Sequence, residues 1–170
     1  LVATRFELVR DTRRARQTGT VGFYGRGLLE LGAGDFDYVR WIGDVRSYAR
    51  LGRPSHLAVR CRAGARVLGA AIPSQKLFDV GGLGTVRGHS FFAQVGDRTL
   101  LGNVEYTLFS ERLDHGLVFF YDAGTAWNSL QSNFVDATIL QSLGTGVRSL
   151  DDDFQVLCAW PIGPIAGHLE

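Results

Sequence analysis

Phe36-Asp37-Tyr38-Val39-Arg40-Trp41-Ile42-Gly43-Asp44-Val45-Arg46-Ser47-Tyr48-Ala49-Arg50-Leu51 is the stretch on which the fold turns. Its odd positions carry Val39, Trp41, Gly43, Val45, Ser47, Ala49 and Leu51. Its even positions carry Arg40, Asp44, Arg46 and Arg50. A strand points successive side chains to opposite faces, so this period of two predicts one long strand with an apolar and an arginine-rich face. The next run repeats the pattern, with Leu57, Val59, Cys61, Ala63, Ala65 and Val67 alternating with Arg60, Arg62 and Arg66. A soluble sheet with arginines turned to water alternates in this way. So does a barrel wall with lipid outside and a polar lumen inside.

The pattern extends outward in both directions. Val2 to Arg10 sets Phe6 and Leu8 against Arg5 and Glu7, and the polar stretch Asp11 to Thr20 reads as a turn. Val21 to Leu31 sets Phe23, Leu29 and Leu31 against Arg26 and Glu30. Further on, Leu100, Val104, Tyr106 and Leu108 oppose Asn103, Glu105 and Thr107; Leu117, Phe119, Tyr121 and Ala123 oppose Val118, Phe120 and Asp122. Leu140 to Leu150 is a glycine-spaced strand with Arg148 on its polar side, and Phe154 to Ile162 is a last strand too apolar to divide into faces. About eight strands joined as hairpins result, with one long insertion over residues 69–97 and no helical pattern.

Composition narrows the class. A chain of 170 residues fits one domain, and a net charge of +1 excludes a basic nucleic-acid module. No apolar run reaches the ~18–20 residues of a membrane helix, so any membrane crossing falls to strands. The chain has no methionine, so it reads as an excised piece. Cys61 and Cys158 lack metal-ligand spacing and read as small apolar residues, with a disulfide as the alternative. His56, His89, His115 and His168 show no ligand spacing and are expected in loops or turns, and Asp151-Asp152-Asp153 is expected as a solvated turn. The glycine loop has no βαβ context for a nucleotide, and no serine sits on a strand–turn–helix elbow. The expectation is a protein with no cofactor, no metal and no enzyme activity.

Two stretches depart from simple alternation. Gly81-Gly82-Leu83-Gly84-Thr85-Val86-Arg87-Gly88-His89-Ser90 has neither period and carries one fixed-charge guanidinium. If that loop is enclosed, Arg87 requires a carboxylate, and Glu105 and Asp122 are the candidates. Asp122 itself lies inside Phe119-Phe120-Tyr121-Asp122-Ala123-Gly124-Thr125-Ala126-Trp127, where an unpaired carboxylate would be costly to bury.

These stretches, with Gly102-Asn103 … Glu105-Tyr106 and Gly144-Thr145-Gly146-Val147-Arg148, resemble the C-terminal barrel of the bacterial surface antigen superfamily from the first strand to about Pro161. That superfamily includes BamA-type and TamA-type outer-membrane assembly proteins and two-partner secretion transporters. The resemblance implies an all-β, antiparallel transmembrane β-barrel domain or barrel half over residues 1–170. Residues 69–97 would fold inward as a lumen loop. It implies a clamp of Arg87, Gly88, Glu105, Asp122 and Gly124, with Arg40, Asp44, Arg46, Arg60, Arg62 and Arg66 facing the lumen.

The implied function is assembly or insertion of outer-membrane proteins, or polypeptide translocation. The alternative is a membrane anchor for an appended enzyme such as a patatin-like phospholipase. The implied partners are outer-membrane lipids, a client polypeptide, and a second copy or the remaining barrel half. The implied location is the outer membrane of a Gram-negative bacterium or a related organelle envelope. His89 stands where the family carries an aromatic, and a full family barrel holds about sixteen strands, an even number as such barrels have.

Overall fold

The structure is a computed structural model that describes residues 2–16, 19–34, 36–52, 54–69, 72–110, 115–131, 134–149 and 154–163. It is all-β and antiparallel. The strands are β1 (Val2–Asp11), β2 (Arg14–Arg16), β3 (Gly19–Ala33), β4 (Tyr38–Gly52), β5 (Ser55–Leu68), β6 (Phe78–Val80), β7 (Gln94–Gly96), β8 (Arg98–Phe109), β9 (His115–Trp127), β10 (Leu140–Ser149) and β11 (Gln155–Ile162). The main sheet runs β1-β3-β4-β5-β8-β9-β10-β11, with β2 continuing the β1–β3 hairpin and β6–β7 forming a separate small hairpin. The sheet does not close on itself. It is a partial barrel with β1 and β11 as edges.

Register places every paired charge on one face. Arg5 stands opposite Glu30, Arg26 opposite Asp44, Arg40 opposite Arg66, and Asn103 opposite Asp122. On the other face stand Phe6, Leu29, Trp41, Val45, Leu100, Phe119, Leu143 and Trp160, all exposed. Among the described residues, charged or basic side chains reach that face only at strand ends: Arg10, Arg14, Arg98 and His115. The register also divides β11, which the sequence left unassigned. Val156 and Trp160 pair with the apolar face, while Leu157 and Ala159 stand opposite Gly146 and Gly144 on the inner one.

The two ends of the sheet differ. One end carries the 69–97 insertion and the 128–139 connection; the other carries shorter turns, including Pro54 between β4 and β5. Two expectations need correction. The polar stretch after Asp11 is mostly strand: Arg14, Ala15 and Arg16 pair with Val21, Thr20 and Gly19, because the β1–β3 register runs on unshifted across Thr12, whose N–H donates to Phe23 O at 2.9 Å. The histidines are not all in loops. His56 is buried in β5 with its ring edge-on to Phe109, and His115 opens β9. The triple aspartate and His168 lie outside the described residues.

Where the insertion passes into β8, Asp97 ties three elements together. Its carboxylate accepts from the Ser129 backbone N–H and hydroxyl at 2.8 Å each and from Arg66 Nε at 2.8 Å. Burial opposes ionisation of Asp97, but the two Ser129 hydrogen bonds and the Arg66 guanidinium outweigh it and hold its carboxyl below the usual carboxylate range. A depressed pKa stabilises the fold above the unfolded carboxylate value of about 3.9. That contribution is lost as pH falls through the folded value. Protection of the Ser129 amide, its hydrogen-exchange rate relative to the intrinsic one, is therefore expected to fall on acidification below about pH 4 in the wild type. In an Asp97→Asn variant that protection should be low at all pH values. A wild-type rate that follows only intrinsic exchange chemistry would contradict this account.

Candidate functional site: an arginine-clamped loop

The glycine-rich stretch is a series of tight turns. Gly81 and Gly82 have φ of +122° and +88°, in the region only glycine enters freely. The Thr85 hydroxyl closes the first turn by donating to Gly81 O at 2.9 Å and accepting from Gly81 N–H at 2.8 Å. Gly82 N–H donates to His89 O at 3.1 Å and closes the second. Val86 then points into a small core with Val80, Leu101, Ala126 and Leu140. The apolar anchor of the loop is thus the residue before Arg87, and His89 instead contacts Gln141 O through Nε2 at 3.0 Å.

Anchoring Val86 aims Arg87 at the inner face of β8 and β9. Its Nε donates to Asp122 Oδ2 at 2.7 Å and its Nη2 to Asp122 Oδ1 at 2.8 Å, a bidentate fork. Nη1 reaches Glu105 Oε2 at 2.9 Å, and the Arg87 backbone N–H also donates to Asp122 Oδ2 at 3.2 Å. Asp122 has no exposed surface, and the Arg87 side chain keeps only 11%. Asn103 completes the shell by donating to Asp122 Oδ1 at 2.9 Å and to Thr85 O at 2.7 Å. Arg148 bonds the other oxygen of Glu105. Two guanidiniums thus meet two carboxylates, and the buried charges balance.

The glycines around the clamp have a steric reason. Gly88, at φ +84°, lies against Ala159, where a Cβ would come within 3.2 Å of that backbone. A Cβ on Gly124 would sit 3.2 Å from Val86 and 2.9 Å from Leu101, so Gly124 makes room for the loop anchor. Gly144 lies beneath the Phe120 ring, which a Cβ there would strike. Above that ring stands the Arg87 guanidinium, 3.5 Å from its centroid.

Arg87, Gly88, Glu105, Asp122 and Gly124 are therefore brought together, while the charged residues expected to face the lumen are spread over the inner face of β4 and β5. Asp44 binds Arg46 at 3.0 Å and Arg60 at 2.7 Å, and Arg60 also donates to the loop carbonyl of Gly84 at 2.9 Å. Arg62 stands opposite Asp44 on the same face, and Arg66 holds Asp97. Arg40 binds Glu30 at 3.2 Å and also donates to Lys76 O. Glu30 is the residue that sequence reasoning passed over. It is fully buried and also accepts from Tyr38 Oη at 2.8 Å, Arg5 Nη2 at 2.8 Å and Lys76 Nζ at 3.3 Å. Its signal in the sequence was one more polar residue at an alternating position. Among the described residues no cluster of histidine, cysteine or carboxylate side chains could hold a metal ion.

An open antiparallel barrel wall, apolar outside and charged inside, with a loop tied to its inner face, defines a β-barrel of the outer-membrane type. A family model described as "Omp85 superfamily domain" matches residues 1–151, and the chain belongs to that superfamily. The match stops before β11. Among solved structures, the fold is similar to that of BamA from Haemophilus ducreyi lacking POTRA domains 1–3, with a TM-score of 0.76 and 15% identity. The likeness covers 96% of this chain and 39% of that one, so the chain spans well under half the length of its structural relative. A search of curated proteins gave no match.

The Arg87–Asp122 pair is expected to be strongly coupled. In a double-mutant cycle of Arg87→Ala and Asp122→Ala, measured by chemical unfolding, the coupling energy should fall at about 0.5–3 kcal/mol. Additive losses would remove the pairing as a stabilising element. Gly144→Leu, which displaces the Phe120 ring, should weaken the clamp without touching any charge.

Proposed function

We propose that this chain is part of an outer-membrane barrel that assists membrane-protein insertion or polypeptide translocation, with its 69–97 loop held in the lumen by the Arg87 clamp. The reading rests on one observation: a long loop that would otherwise be mobile is fastened to the wall by a buried, charge-balanced network on β8, β9 and β10. Removing any one partner of such a network leaves a buried charge uncompensated, so the network holds the loop in one arrangement. No covalent step is needed. The work is done by a wall that admits a polypeptide and a loop held at a set height in the passage. Membership of the superfamily supports the insertion or transport role.

The free edges at β1 and β11 belong to the same proposal. Unpaired backbone groups cost several kcal/mol each in hydrocarbon. Further strands of a longer chain, or of a second copy, therefore pair with both edges.

Loss of the clamp should impair function more than folding. In cells depending on the full-length protein, Arg87→Ala is expected to leave a heat-modifiable barrel in the outer membrane while slowing delivery of client polypeptides. Arg87→Lys should restore it only in part, because an ammonium lacks the planar fork. A barrel serving only as an anchor for an enzyme domain would tolerate Arg87→Ala with normal delivery, and that outcome would refute the proposal.

A further inference from the structure

The apolar face is not smooth. Gly27 of β3 and Gly43 of β4 are register partners on that face, and a Cβ on Gly27 would meet nothing within 4 Å. Phe6 and Leu8 of β1 wall the resulting trough on one side, and Leu29 and Trp41 close its long-loop end. The trough measures about 440 Å³. A gap in a wall forfeits dispersion contacts unless something fills it, and a flexible acyl chain is the filler available on a lipid-facing surface. The inference thus rests on reading this face as the one turned to lipid.

Charge at the short-turn end identifies the other part of the occupant. Arg10 stands opposite Gly25, the next outward pair after Leu8 and Gly27, about 7 Å along the strand. Arg14, opposite Val21, continues the same outward face. Both are exposed. The carboxylate adjacent to Arg10 in the chain, Asp11, is on the inner face and already engaged by Arg13, whose Nη2 lies 2.7 Å away and whose Nε and backbone N–H also donate to it. Among the described residues no carboxylate pairs with Arg10 or Arg14. Two free guanidiniums beside an apolar trough match a phosphate joined to an acyl chain, because the guanidinium fork suits phosphate oxygens.

We infer that Arg10 and Arg14, with the trough over Gly27 and Gly43, bind one anionic diacyl phospholipid. The lipid places its phosphate at the short-turn end and one chain between Leu8 and Trp41. Among the described residues, the other outward basic groups, Arg98 and His115, lie on β8 and β9, away from this trough.

The test is native mass spectrometry of the full-length protein in mild detergent, titrated with phosphatidylglycerol or with zwitterionic phosphatidylethanolamine. The wild type should retain one phosphatidylglycerol in preference to phosphatidylethanolamine by roughly thirtyfold, the worth of two membrane-facing arginines. Arg10→Gln with Arg14→Gln should abolish that preference. Gly27→Val with Gly43→Val fills the trough with strand-favouring side chains and should reduce retention of both lipids without lowering the unfolding temperature. Equal retention of the two lipids by the wild type, or phosphatidylglycerol retention unchanged in both variants, would overturn the site. A protein that is folded and monodisperse without detergent would overturn the lipid-facing reading itself, so the two failures are distinguishable.

Discussion

The structure depends on neutralising one buried guanidinium. Arg87 arrives on a loop, is almost wholly removed from solvent and cannot lose its proton, so the wall must supply charge and geometry to receive it. Asp122 supplies the fork, Glu105 takes the remaining nitrogen, Asn103 steadies Asp122, and Arg148 balances Glu105. Each of these residues lies on a different strand or at a different height, so the clamp also sets the register of β8, β9 and β10. The glycines follow from the same constraint: Gly124 makes room for Val86, and Gly144 for the ring on which Arg87 rests.

A second ring lying on a glycine also has a guanidinium beside it. Phe78, at the start of the insertion, lies over Gly64 of β5, and the Arg40 guanidinium stands 5.7 Å from its centroid. Arg40 in turn binds Glu30, which holds Lys76 of the loop. The insertion is thus fastened near its beginning to β3 and β4, at Gly84 to β5 through Arg60, and at Arg87 to β8 and β9. It spans the curved wall as a chord. Four inner-face carboxylates, Glu30, Asp44, Glu105 and Asp122, are the fixed points, and each is shared by at least two donors. A carboxylate shared in this way tolerates burial because its lone pairs are occupied from several directions.

The two faces solve opposite problems. The inner face concentrates charge and spends it on the loop. The outer face removes charge from all but the strand ends, as a surface in hydrocarbon requires. A register slip of one residue would exchange the two sets, placing several arginines in lipid at about 2–4 kcal/mol each near mid-bilayer. Alternation is therefore both the pattern that specifies the fold and the penalty that protects it.

Period two was enough, by itself, to determine the side to which the alternating residues of β1, β3, β4, β5, β8 and β9 point, because side-chain direction in a strand is a local property, but it missed the short strands β2, β6 and β7. It also determined that Arg87 and Asp122 were a cation and a carboxylate in need of partners. Local pattern could not divide β11, where apolar residues occupy both parities; pairing with β10 decided that. Nor could it single out Glu30, since one polar residue among many in an alternating strand looks alike whether it meets water or three cations. Only tertiary structure decided which carboxylate met which arginine, and that the histidine at position 56 was buried. Those pairings join residues far apart in the chain, and burial is set by what the loop covers, which no short window of sequence contains.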